Sequence, residues 1–235
     1  MSELRRRAVV TLGARGFLAL TAVLPFLGCS DRTSAASSTP AAPLDWQRFI
    51  DQLGTVAETQ HESAWDQSAY LEQVRALLLR CDIAGHHVQE ALARYRNAHR
   101  NFPEIRDLHR QQSVQVCLLE FEPGERIELH DHPDMTGCIR CLSGRVVVRN
   151  FTELGPGTVS GQVRLRHDTT SVMVPGSTGI LTSTISNLHD LEAQEFTRLI
   201  DVFTPPYNDD RSHRSRWFTL GEMSAVGEVV AVVRS

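Results

Sequence analysis

Apolar positions divide the chain into two grammars. Between residues 45 and about 112 they recur at helical spacing: Leu71, Val74, Leu77 and Leu78 form one stripe, and Val88, Leu92 and Tyr95 another. From residue 113 the period shortens to that of strands, in runs at 114–121, 138–142, 146–151, 161–166, 171–174, 180–186, 196–203 and 229–233. Glycines and prolines punctuate these runs. Eight or so short strands with regular turn signals predict a sandwich or barrel, so the chain reads as mainly β with a helical N-terminal region.

The N-terminus follows a different pattern. Arg5, Arg6 and Arg7 precede an apolar run at 17–27, too short to span a bilayer as an ordinary helix, which ends at Leu27-Gly28-Cys29. A Ser/Thr/Ala/Pro-rich stretch follows. Residues 1–28 therefore read as an export signal resembling that of a bacterial lipoprotein, with Cys29 as the lipidated residue and 29–44 as a flexible linker. The paired arginines also suit the twin-arginine route. This organisation predicts a periplasmic or membrane-anchored product.

Charge narrows the partners. The whole chain carries −4, of which the four arginines and one glutamate of the leader supply +3, leaving about −7 for the rest. Such a surface does not recruit nucleic acid. The roughly two hundred residues after the leader suit one domain with its own core, expected as a monomer. Four cysteines follow Cys29: Cys81, Cys117, Cys138 and Cys141. On a strand, Cys138 and Cys141 point to opposite faces and share neither a metal nor a disulfide, although Cys117 is free to meet one of them across strands. His86, His87, His99 and His109 fall in the polar, arginine-rich part of the helical region and read as surface histidines.

The stretch Pro123 to Gly137 carries the chemistry. On a strand, His130 and His132 share a face and can grip one ion from one wall. Gly124, the His-x-His pair and Gly144 have the spacing of the first signature of the cupin superfamily, a small jelly-roll barrel. The position that usually bears a glutamate ligand there is Gly137, which has no side chain to donate. His189, in Asn187-Leu188-His189, stands where the second signature supplies its histidine. The resulting site has three imidazoles and no carboxylate, an all-histidine variant of the facial triad of non-haem Fe(II) oxygenases.

These segments resemble the thiol dioxygenases of the cysteamine dioxygenase and plant cysteine oxidase type. The matching elements are His130-Asp131-His132-Pro133-Asp134-Met135-Thr136, then Asn187-Leu188-His189, and Ile200-Asp201-Val202 followed by Pro205-Pro206-Tyr207. The resemblance implies Fe(2+) held by His130, His132 and His189. It also implies catalytic roles for Asp201 and Tyr207, and oxidation of a small thiol or a Cys-initiated peptide to a sulfinic acid with O2. Asp201 shares a strand face with Leu199 and Phe203, where a carboxylate is expensive unless it is paired. Ser215 stands near where some members have a cysteine. Arg126 and Glu128 replace more neutral residues, and on a regular strand they share the face of His130; there they either reach the pocket, to meet a substrate carboxylate and amine, or point past the barrel rim into solvent or pair with each other. Two other readings remain: a non-catalytic metal- or ligand-binding cupin, and a cupin enzyme of other metal chemistry.

Overall fold

Two aspartates start the first helices. In a computed structural model, which describes residues 42–60, 62, 65–94, 103–224 and 227–234, Asp45 caps α1 (Trp46–Ala57) and Asp66 caps α2 (Gln67–Arg80). Each carboxylate accepts an orphan N–H of the first turn, Arg48 N–H in α1 and those of Ser68 and Ala69 in α2. A short α3 (His86–Ala93) follows. The leader, Cys29 and the linker up to residue 41 lie outside the described residues, as do Tyr95 and His99.

The strands are β1 (Glu104–Arg110), β2 (Gln115–Phe121), β3 (Arg126–Asp131), β4 (Thr136–Ser143), β5 (Val146–Pro156), β6 (Gln162–Met173), β7 (Thr178–Leu181), β8 (Leu188–Ala193) and β9 (Thr197–Thr204). After a single short helix, α4 (Asp209–Arg214), come β10 (Phe218–Met223) and β11 (Glu228–Val233). They form two antiparallel sheets, ordered β1-β2-β9-β4-β7 and β10-β11-β6-β5-β8-β3. Their facing sides share one interior lined by Leu119, Phe121, Met135, Val148, Leu191 and Leu199. This is the expected jelly-roll barrel. Gly144 shows why its signature glycine is needed: it sits at φ +81°, and a Cβ there would lie 2.2 Å from the Phe196 carbonyl oxygen.

The helices cover the outer face of the five-stranded sheet. The stripe of Leu71, Val74 and Leu78 packs with Phe49 and Leu53 onto Val116, Cys138, Ile200 and Val202. Full burial of each large side chain contributes roughly 1.5–3 kcal/mol. The outer face of the six-stranded sheet has its own core, in which the β10–β11 hairpin brings Phe218, Val229 and Ala231 against Leu129, Phe151, Leu165 and Leu188.

Three expectations change. The helical region does not extend to residue 112, because 104–110 is strand β1. Its Ile105 and Leu108 have helical spacing, but pairing with the fully buried β2 prevails. The runs at 161–166 and 171–174 belong to one strand, β6, whose polar middle is held by its ladder to β5. The run at 180–186 ends at Leu181, and the chain turns there before β8. The four cysteines are buried and free, so the possible link from Cys117 is not made. Cys138 faces the helices and Cys141 the barrel interior, as alternation requires.

Candidate metal centre

β3 is irregular where it matters. It pairs with β8 at Ile127↔Leu191 and next at His130↔His189, so β3 has one residue more than its partner in this interval. This bulge resets the alternation. Ile127 and His130 both face the interior cavity, whereas Arg126 and Glu128 turn to the other side of the sheet. There Arg126 Nη2 donates to Glu128 Oε1 at 2.9 Å, and Glu128 also pairs with Arg234 at 2.5 Å. The expectation that Arg126 and Glu128 share the face of His130 is thus corrected, because it assumed a regular strand.

His130, His132 and His189 converge. Their ring centroids are 4.6, 4.8 and 4.8 Å apart, and their available ligand atoms all lie within 4.8 Å of one another. Among the described residues this metal-capable group contains no carboxylate. The outer nitrogens are engaged: His130 Nδ1–H donates to the Glu128 carbonyl at 2.8 Å, and His132 Nδ1 meets the Tyr207 phenol at 2.5 Å. Such partners fix the tautomer and leave Nε2 to coordinate. His132 Nε2 and His189 Nε2 are 3.0 Å apart. Two metal–nitrogen bonds of about 2.1 Å at a right angle would set their nitrogens about 3.0 Å apart, so the donors fit a divalent ion.

Burial keeps the imidazoles neutral. It lowers the His130 pKa to about 4 and those of His132 and His189 well below the ordinary value, with the neighbouring imidazoles adding to the effect on the latter two. An unfolded histidine titrates near pH 6.5, so below that value the unfolded chain binds protons that the native one refuses. The metal-free protein should therefore hold constant stability from these groups above about pH 7 and lose it progressively as pH falls towards about 4. Urea midpoints measured across that window would show the decline. A flat profile would mean that the histidines are not held neutral.

Asn187 has a role that the motif alone does not reveal. Its Oδ1 accepts His132 N–H at 2.8 Å, while its Nδ2 donates to the carbonyls of His132 at 3.2 Å and Ser183 at 2.6 Å. It thereby supplies the pairing that His132 lacks just beyond the end of β3. Trp217 was not anticipated either. It stacks on His130 with centroids 4.8 Å apart and rings inclined at 21°.

Asp201 lies in β9, paired in register with Cys117 on one side and Ile139 on the other. It is 4% exposed, its Oδ1 has no hydrogen-bond partner, and burial pushes its carboxyl well above the usual carboxylate range. Tyr207 is anchored through its backbone, its N–H donating to Gln115 Oε1 at 3.1 Å and its carbonyl accepting from Arg110 Nη1 at 2.6 Å. Its phenol also bonds Ser215, and burial holds it well above the ordinary tyrosine range. The three histidines, Asp201, Tyr207 and Trp217 line one cavity of about 300 Å³. Gly137 lies apart, on the wall of an adjoining cavity of about 190 Å³ that also reaches His189 and Asp201. A Cβ at Gly137 would lie 3.5 Å from Leu181 and 3.9 Å from Phe203, ordinary van der Waals contacts, so crowding does not force a glycine at this position.

A family model described as PCO_ADO matches residues 75–232. Among solved structures, the chain is similar to KdgF from a Halomonas species, with 14% identity over 48% of this chain and 88% of that one and a TM-score of 0.37. It is similar to a Bacillus halodurans protein at 18% identity over 52% and 80% of the two chains, TM-score 0.39. An RmlC-like cupin from Shewanella frigidimarina is 15% identical over 48% and 84%, TM-score 0.37.

Proposed function

Because the chain belongs to the PCO_ADO family, the cupin thiol dioxygenases of the cysteamine and plant cysteine oxidase type, we propose that it oxidises a small thiol or an N-terminal cysteine to a sulfinic acid. The observation that carries this reading is the convergence of three neutral imidazoles beside a buried carboxyl whose Oδ1 has no hydrogen-bond partner, in one cavity. An iron(II) ion held by His130, His132 and His189 would supply adjacent open positions for a thiolate and for dioxygen. The reaction adds both atoms of O2 to sulfur and needs no other reductant, since the thiol supplies the electrons.

The chain's own residues bind and orient. The Asp201 carboxyl, short of a partner, takes the amine of the substrate and anchors it beside the histidines. Tyr207 holds His132 through Nδ1 and so sets the angle of that ligand ring. Leu119, Ile127 and Phe203 line the cavity and exclude water from the reacting sulfur. In this reading residues 1–28 carry the protein out of the cytoplasm, and its thiol is one met there.

The test is oxygen uptake by iron-loaded protein with cysteamine, cysteine, 3-mercaptopropionate and a Cys-initiated peptide. At least one amine-bearing thiol should consume O2 and gain two oxygen atoms. Arg126→Ala should leave the order of preference unchanged, because its side chain faces away from the cavity. No uptake with any thiol would favour a non-catalytic metal-binding protein.

A further inference from the structure

Each strand that carries a ligand also sets an aspartate back to back with it. Asp131 lies between His130 and His132, and Asp190 directly follows His189. Both point away from the cavity, and both are only 6% exposed. Each is gripped by one arginine fork. Asp131 Oδ2 accepts Arg216 Nε at 2.7 Å and pairs with Nη2 at 2.7 Å, while Asp131 Oδ1 accepts Arg216 N–H at 2.7 Å. The backbone returns the contact, Asp131 N–H donating to the Arg216 carbonyl at 3.1 Å. Asp190 takes Arg149 Nε at 2.8 Å and Nη2 at 2.7 Å.

In these pairs the aspartates are covered but both arginines are 39% exposed, so solvent screening leaves them little net stability, and the best-attested use of such pairing is to select one register. Register is what this centre needs. A slip of one residue would turn a histidine out of the cavity. Arg149 and Asp190 are direct cross-strand partners, and the adjacent pair is Asn150↔His189, so the fork locks the phase in which His189 points inward. β3 carries a bulge just before His130, which leaves its own alternation unable to set the phase. Arg216 pins it from outside, and the same segment lays Trp217 against His130 as a bridged pair.

We propose that Arg216–Asp131 and Arg149–Asp190 are registry pins of the three-histidine set, positioning residues whose effect is on metal binding and not on fold stability. The proposal rests on the metal-binding reading of the site. Both aspartates share a strand face with Leu129 or Leu188 of the outer apolar core, so each pair can be replaced by apolar side chains that extend it; Arg216 Nη2 also pairs with Glu153 at 2.6 Å, and that half-buried carboxylate is left to solvent when Arg216 is replaced.

The experiment compares Asp131→Leu with Arg216→Met, and Asp190→Leu with Arg149→Met, as two double variants of the full chain. Cobalt(II) affinity is titrated by absorption, and thermal unfolding is measured on the metal-free protein. Each double variant should bind cobalt about 10- to 100-fold more weakly, the usual loss when a partner beyond the ligands is removed, while melting at or above the parent temperature. Arg216→Lys and Arg149→Lys keep the charge but lose the fork, and should weaken cobalt binding with unchanged melting. If the double variants do not fold, these two decide. Arg198→Met breaks a 2.8 Å pair with the buried Glu120, beside no histidine, and should lower melting without touching cobalt affinity. Unchanged affinity in the pin variants, or melting and affinity lost together, would overturn the proposal. If the parent binds no cobalt, the metal reading fails first; if the parent binds and the variants bind as well, only the pins fail.

Discussion

His189→Ala is expected to abolish stable metal binding and with it thiol-dependent oxygen uptake. Two of the three donors sit on alternate positions of β3 and its exit, whereas His189 alone comes from β8. Its removal leaves His130 and His132 on one wall with nothing opposite them. The loss should exceed the roughly 10- to 100-fold reduction in metal affinity that follows removal of a mere partner of a ligand. The fold should survive, because the three cores are built elsewhere and a buried imidazole with a depressed pKa contributes little to them. Metal analysis after gel filtration, with circular dichroism of the same sample, checks both halves. Retention of one iron per chain with normal turnover would remove His189 from the site.

Asp201 should show opposite effects on activity and stability. Asp201→Asn keeps the volume but removes the acidic group, which is held neutral by burial in the free protein and gives up its proton only beside a substrate ammonium. A hydrogen bond to a charged group is worth about 1.5–3 kcal/mol, so kcat/KM should fall about ten- to a hundredfold for amine-bearing thiols. It should change little for 3-mercaptopropionate, which has no amine. Iron content should stay at the parent level, since Asp201 is not among the converging donors. Asp201→Leu should stabilise the metal-free protein by about 1–3 kcal/mol while losing turnover, because it deletes the unpartnered Oδ1 from the interior. Tyr207→Phe provides the contrast: it removes the partner of His132, so it should weaken iron binding by about tenfold or more without discriminating between thiols. Equal losses with every thiol in Asp201→Asn would place that residue outside amine recognition.

Local periodicity determined much of this molecule. The stripe of Leu71, Val74 and Leu78 needs only a helix to become one apolar face, and Asp66 before it is a cap in any context where that helix forms. Strand alternation alone sends Cys138 and Cys141 to opposite faces and His130 and His132 to the same one. The spacing of Gly124, the paired histidines, Gly144 and His189 was enough to assemble the three donors, because those intervals measure strand and turn lengths in a barrel.

Tertiary structure decided what depends on a partner strand. The bulge in β3 exists only against β8, and it alone turned Arg126 and Glu128 away from the cavity. Pairing with β2 made 104–110 a strand despite its helical spacing. The hairpin of β10 and β11 brought a third core and the Arg216–Trp217 segment onto β3, and Asn187 closed the gap at His132. No side-chain period encodes these features. A ladder's register, and the direction a residue faces after a bulge, are set by backbone hydrogen bonds between segments distant in the chain.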